Sequence, residues 1–88
     1  MNYKTMSQLF KVFSDETRLQ VIDLVRNGEH CACTMIDKLT ISQPTLSHHL
    51  NILSQSNITS TTSKGNWKHH HIQEENIKEM ITYLQSLI

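Results

Sequence analysis

Apolar residues recur three or four positions apart through most of the chain, and the one stretch where they stop doing so divides it. Tyr3, Met6, Leu9, Phe10 and Phe13 fit one face of a first helix. Ser14-Asp15 offers an N-cap for a second, whose stripe reads Leu19, Ile22 and Val25 before Asn27-Gly28 stops it. Met35, Ile36 and Leu39 predict a short third helix with Cys31 near its N-cap. Thr40-Ile41 reads as a tight turn. Ser42 then caps a fourth helix, with Pro44 in its first turn, where a missing N–H costs little. After Asn57 the period changes. Ile58 to Thr62 is rich in β-branched residues, Lys64-Gly65-Asn66 is a turn signal, and Trp67 to Ile72 can return as a second strand. From about Glu74 a last helix carries Ile77, Met80, Ile81, Leu84 and Leu87 on one stripe and stays almost fully apolar to Ile88.

The order is α-α-α-α-β-β-α, mainly α with a β-hairpin. A short helix, a tight turn and a capped helix followed by a two-stranded wing describe a winged helix-turn-helix, here a single domain over residues 1–88. The competing architecture is an α+β domain with no role on DNA. The first and last helices both carry more apolar surface than a small core needs, which predicts a homodimer built from those two elements.

Composition refines this picture. At 88 residues the chain is near the lower limit for one self-sufficient core, and such chains often gain stability by oligomerising. No apolar run follows Lys4 to suggest a signal peptide, and none approaches the roughly 18 residues of a membrane span, so a cytoplasmic location with reduced thiols is expected. Formal charge is zero, eight basic against eight acidic residues, but the distribution is uneven. From Lys38 to Gln73 there is no Asp or Glu, while Lys38, Lys64, Lys68 and five of the six histidines lie there. A neutral chain can thus present a face free of negative charge to a phosphate backbone.

On a helical wheel of residues 43 to 55, Leu46, His49, Leu50 and Leu53 point inward, His49 as a packed, hydrogen-bonded histidine. Pro44, Thr45, Ser47, His48 and Asn51 point outward, with Gln43 in the first turn and Ser42 at the cap. These polar, uncharged side chains suit base edges, read by hydrogen bonds and methyl contacts; a solvated face would carry Lys and Glu. At the wing, Lys64, Asn66 and Lys68 suit phosphate contacts that position without specifying. In a strand His69 and His71 face one side and His70 the other, so at most two of the three could share an ion. A solvated wing strand accounts for them better.

The two cysteines, Cys31 and Cys33, sit one residue apart. A disulfide between residues so close would be a small, strained ring, and the pair is better suited to chelation. Two small buried hydrophobes are the plainer alternative.

With these residues in hand, the chain resembles the ArsR/SmtB family of metal-responsive winged helix-turn-helix repressors over nearly its whole length. The resemblance is strongest in FSDETRLQVIDLV (Phe13 to Val25), EHCAC (Glu29 to Cys33), ISQPTLSHHL (Ile41 to Leu50) and the KGNW wing turn. It implies a homodimer that occupies palindromic double-stranded operator DNA, its recognition helices entering major grooves about 10 bp apart, and leaves when an inducer binds. A Cys-x-Cys before the recognition helix looks like the arsenite-responsive subgroup. Related cadmium- and lead-responsive members add cysteines in an N-terminal extension, and zinc-responsive members place Asp and His on the final helix. Here that helix offers Glu74, Glu75 and Glu79.

Cys31 and Cys33 are therefore the expected site for As(III) or Sb(III), with no obligatory cofactor. Soft thiolates select soft metalloids, and a helix start favours thiolate. Chelation is expected to pull the first turn out of helical geometry, because residues i and i+2 do not share a face. Three departures from the family pattern stand out. Ile36 occupies the place of a third cysteine, Thr34 stands where an acid usually follows the pair, and His30 replaces a frequent leucine and could be a surface residue or an added nitrogen ligand. No Gly-rich loop or paired carboxylate marks an enzyme. The alternatives are the same repressor sensing Cd, Pb, Zn or cysteine oxidation, and a small Cys-x-Cys metal carrier.

Overall fold

The computed structural model describes residues 2–88. Five α-helices and one hairpin follow the expected order: α1 (Tyr3–Val12), α2 (Glu16–Arg26), α3 (Ala32–Met35) with a 3₁₀ turn at Ile36–Lys38, α4 (Gln43–Gln55), β1 (Thr59–Lys64), β2 (Trp67–Ile72) and α5 (Glu74–Ser86). Caps set the boundaries. The Arg18 backbone N–H donates to the Asp15 carboxylate at 2.9 Å and starts α2, a bond that holds this carboxyl below its ordinary range. Gly28, at φ +99°, turns the chain out of α2 in a conformation that favours glycine. Ser42 accepts from the Thr45 N–H at 3.3 Å and starts α4 with Pro44 in its first turn.

One core joins these elements. Met6, Leu9 and Val12 of α1, Val21 and Val25 of α2, Met35 of α3, Leu46, Leu50 and Leu53 of α4, Ile58, and Met80 of α5 form a single buried cluster. The α2 stripe differs from the expected one. Val21 and Val25 are buried, whereas Leu19 is exposed and Ile22 only half-buried. A helix in the middle of a fold packs on elements from several directions, here α4 and the hairpin, so the strongest local stripe need not be the one that faces the core. Phe13 likewise lies just past α1, as its C-cap residue.

The hairpin is antiparallel, with Thr59 opposite Ile72 and Lys64 opposite Trp67. Lys64 closes β1 and is not part of the turn, which is left to Gly65 (φ +61°) and Asn66. α1 and α5 lie side by side, with Phe10 and Tyr83 ring centroids 6.0 Å apart. Beyond this contact the outer face of α5 is bare: Ile81, Leu84 and Leu87 are all exposed, as is Tyr3 on α1. Among the described residues no helix is long and apolar enough to cross a membrane.

Candidate nucleic-acid interface and cysteine site

The fourth helix is oriented as its wheel predicts. Leu46, His49, Leu50 and Leu53 are buried, while Ser42, Gln43, Thr45, Ser47, His48 and Asn51 are exposed. His49 departs from expectation in one respect. It is packed but not hydrogen-bonded: Nδ1 is buried without a partner and Nε2 lies 4.0 Å from the Asp15 carboxylate. The histidine is held by packing between α4 and the start of α2.

The charge pattern is modified by folding. Lys38, one of three lysines in the acid-free span, forms an ion pair with Glu29, and this contact chiefly holds the Glu29 carboxyl below its ordinary range. Lys64 and Lys68 remain on the exposed wing with Asn66. Lys68 stands opposite Ser63 and Lys64 opposite Trp67, so the two lysines sit on opposite faces of the hairpin.

The histidine run is not a uniformly solvated strand. His70 is buried, and burial is the main cause that lowers its pKa below the ordinary value; Lys68 adds to the effect. His69 and His71 share the other face, as strand alternation requires, and the His30 ring lies beside them with centroids 6.3 Å and 4.6 Å away. His30 is a structural tie. Its carbonyl accepts the His70 N–H at 2.8 Å, and its Nδ1 lies 2.9 Å from the His70 carbonyl. A carbonyl can only accept, so Nδ1 carries the proton. The segment before α3 is thereby fastened to the edge of β2. Among the described residues no group of three His, Cys, Asp or Glu side chains is arranged to hold a metal ion.

That fastened segment leads straight into Cys31. Cys31 is the extended N-cap of α3 and Cys33 lies in its first turn, with Cα atoms 5.1 Å apart. The Cys33 N–H donates to Cys31 Sγ at 3.2 Å, and Thr34 Oγ1 donates to the Cys31 carbonyl at 3.0 Å. The two cysteines are joined as a disulfide, where the spacing had suggested a free dithiol. The reason lies in the cap: Cys31 has extended dihedrals (φ −108°, ψ 135°), so the rule that i and i+2 face apart on a helix does not apply to it. The sulfurs meet with α3 intact, and no unwinding is needed to bring them together.

The pair opens on a cleft of about 370 Å³ whose other walls are Ala32, then Gln43, Leu46, Ser47 and Leu50 of α4, and Trp67, Lys68 and His70 of β2. The cysteines, the recognition helix and the wing therefore surround one space. Trp67 and His70 were not legible as members of this site; an aromatic residue beside a wing turn was the only signal for Trp67, and His70 had none.

A helix-turn-helix with an exposed polar second helix and a two-stranded wing defines the winged helix-turn-helix class. The solution structure of a homodimeric winged helix-turn-helix DNA-binding domain from Mycobacterium bovis matches it with a TM-score of 0.76 over 96% of this chain and 78% of that one, at 19% identity. Residues 15–61 match the model of the bacterial regulatory protein arsR family, and the chain belongs to that family of DNA-binding transcriptional regulators, which are not enzymes. An HTH-type transcriptional regulator of Methanocaldococcus jannaschii is 40% identical over 97% of both chains. An arsenical resistance operon repressor of Staphylococcus xylosus is 40% identical over 85% of this chain and 72% of its own length.

Proposed function

We propose that this regulator is a homodimeric repressor of a palindromic operator, released when As(III) or Sb(III) binds Cys31 and Cys33. The observation that carries this reading is the shared cleft: the cysteine pair forms one wall, Gln43 and Ser47 of the recognition helix another, and Lys68 of the wing a third. The name of the Staphylococcus xylosus relative supports the class of inducer. Ser42, Gln43, Thr45, Ser47 and His48 would meet base edges, and Lys64, Asn66 and Lys68 the phosphates.

The pair must first be reduced to two thiols. Arsenic bridging them changes the bite of Cys31, and the His30 tie carries that change to β2 while α3 carries it to α4. A coupling of about 1–3 kcal/mol across this path changes operator affinity about 5- to 150-fold, enough to switch a repressor.

The test is anisotropy of the reduced protein on a fluorescent duplex from its own promoter during an arsenite titration. Wild type is expected to leave the duplex at micromolar arsenite and Cys31→Ser to stay. Retention of both would remove the arsenic site and leave the DNA-binding role. A second reading, release by oxidation, is favoured by the disulfide itself. Release by peroxide from the reduced protein, with no response to arsenite, would select it.

A further inference from the structure

The cleft of the cysteine pair takes Lys68 and His70 from β2. The opposite face of that strand carries a separate group of nitrogen donors. His69 and His71 alternate onto it, and the ring of His30 joins them from the segment fastened along the edge of β2. All three are half-buried. The His30 and His71 rings have centroids 4.6 Å apart and planes inclined by 36°. With Zn–N bonds of about 2.0–2.1 Å, two imidazoles on one tetrahedral ion have ring centres about 5 Å apart. His69 is placed differently. Its centroid is 6.3 Å from that of His30 and the planes are inclined by only 10°, so nitrogens lying in those planes do not converge.

Each of the two closer rings has one nitrogen beside an oxygen. His30 Nδ1–H donates to the His70 carbonyl at 2.9 Å, which leaves Nε2 of the neutral ring unprotonated. His71 Nε2 lies 3.4 Å from Thr62 Oγ1, and with that hydroxyl accepting, Nδ1 is the bare nitrogen. An imidazole whose other N–H is held by an oxygen has its tautomer and orientation fixed as a metal ligand requires. Carboxylates are not at hand. No Asp or Glu occurs from Lys38 to Gln73, and Glu29, the neighbour of His30, is paired with Lys38. Nitrogen donors alone suit borderline divalent ions, whereas magnesium and calcium require oxygen.

We infer that His30 and His71 form a two-imidazole site for a borderline divalent metal ion of the zinc and nickel kind, bound through His30 Nε2 and His71 Nδ1. Among the described residues no third His, Cys, Asp or Glu completes the set, so water fills the remaining positions. A bound ion cross-links the segment that enters α3 to the wing strand, beside the bonds that already join His30 to the His70 main chain. The site uses no sulfur and stands apart from the arsenical reading.

The experiment titrates Zn²⁺, Ni²⁺ and Mg²⁺ by calorimetry into the untagged, oxidised full-length chain, whose disulfide withholds both sulfurs. Nitrogen NMR of the imidazole rings follows the Zn²⁺ titration. One Zn²⁺ or Ni²⁺ per chain is expected to bind at micromolar concentration, and Mg²⁺ is not. Zn²⁺ is expected to shift the ring resonances of His30 and His71 and to leave those of His48 and His49 in place. His71→Gln is expected to weaken Zn²⁺ binding about tenfold or more, and His69→Gln by less than about threefold. His30 is read from its own resonance in the unsubstituted chain, because His30→Gln would also break the tie to His70. Absence of saturable Zn²⁺ binding, shifts that bypass His30, or full affinity in His71→Gln would each overturn the inference. Equal losses in His69→Gln and His71→Gln would overturn it too, by placing the ion between those two residues of β2.

Discussion

At the scale of single residues, the clearest consequences come from polar groups buried without partners and from one buried histidine. Thr59 is almost wholly enclosed at the base of β1, and its hydroxyl has no hydrogen-bond partner. An orphaned hydroxyl carries a desolvation cost with no return, so Thr59→Val, of nearly the same shape, is expected to leave stability unchanged or raise it by up to about 1 kcal/mol. Urea unfolding of the reduced protein checks this; a loss of stability would mean that the hydroxyl is satisfied in solution.

His70 gives a pH dependence whose sign follows from its lowered pKa. As pH falls below the unfolded value near 6.5, the unfolded chain takes up a proton that buried His70 resists. Stability is then lost progressively on acidification down through the lower, folded value, and is fully present above the unfolded one. Thermal unfolding from pH 8 to pH 5 is expected to show a shallower acid decline for His70→Gln than for wild type.

At the scale of elements, the proposed function divides the work on DNA between α4 and the wing. Gln43 and Thr45 are exposed and uncharged, so their alanine variants are expected to lower the preference for operator over random duplex by about 1–3 kcal/mol for each lost base contact. Lys64→Ala and Lys68→Ala are expected to weaken binding to all sequences and each to reduce the salt slope by about one. Lys38→Ala is expected to leave that slope unchanged, because Glu29 already pairs with Lys38. Competition anisotropy at several salt concentrations measures both effects. The outward polar face of α4 was readable from spacing, since a helix's period fixes its inward and outward sides once one side is apolar. The pairing of Lys38 was not readable, since it depends on the 3₁₀ turn after α3 folding back on the segment that follows α2.

At the scale of the whole molecule, bare Ile81 and Leu84 of α5 and Leu87 at its C-cap, with exposed Tyr3 of α1, form the surface expected to pair two chains. Leu84→Glu places a charge on that surface. Sedimentation is expected to find a monomer where wild type is a dimer, with operator binding weakened at least about 100-fold because two half-sites are no longer engaged together. A wild type that sediments as a monomer would refute the pairing.

The sequence alone determined what depends on short-range periodicity and local chemistry: the element order, the caps at Asp15 and Ser42, the inward and outward sides of α4, the hairpin, and the closeness of the two cysteines. These follow from neighbours within a few residues, where helix and strand periods and side-chain capping act. Only the tertiary structure decided which stripe of α2 is buried, that His30 fastens the cysteine segment to β2, that His70 is enclosed, and that Cys31, Gln43 and Trp67 border one cleft. Each of those facts joins residues far apart in the chain. Their contacts are set by how helices and hairpin pack around Leu46, Leu53 and Ile58, and no local pattern encodes that packing by itself.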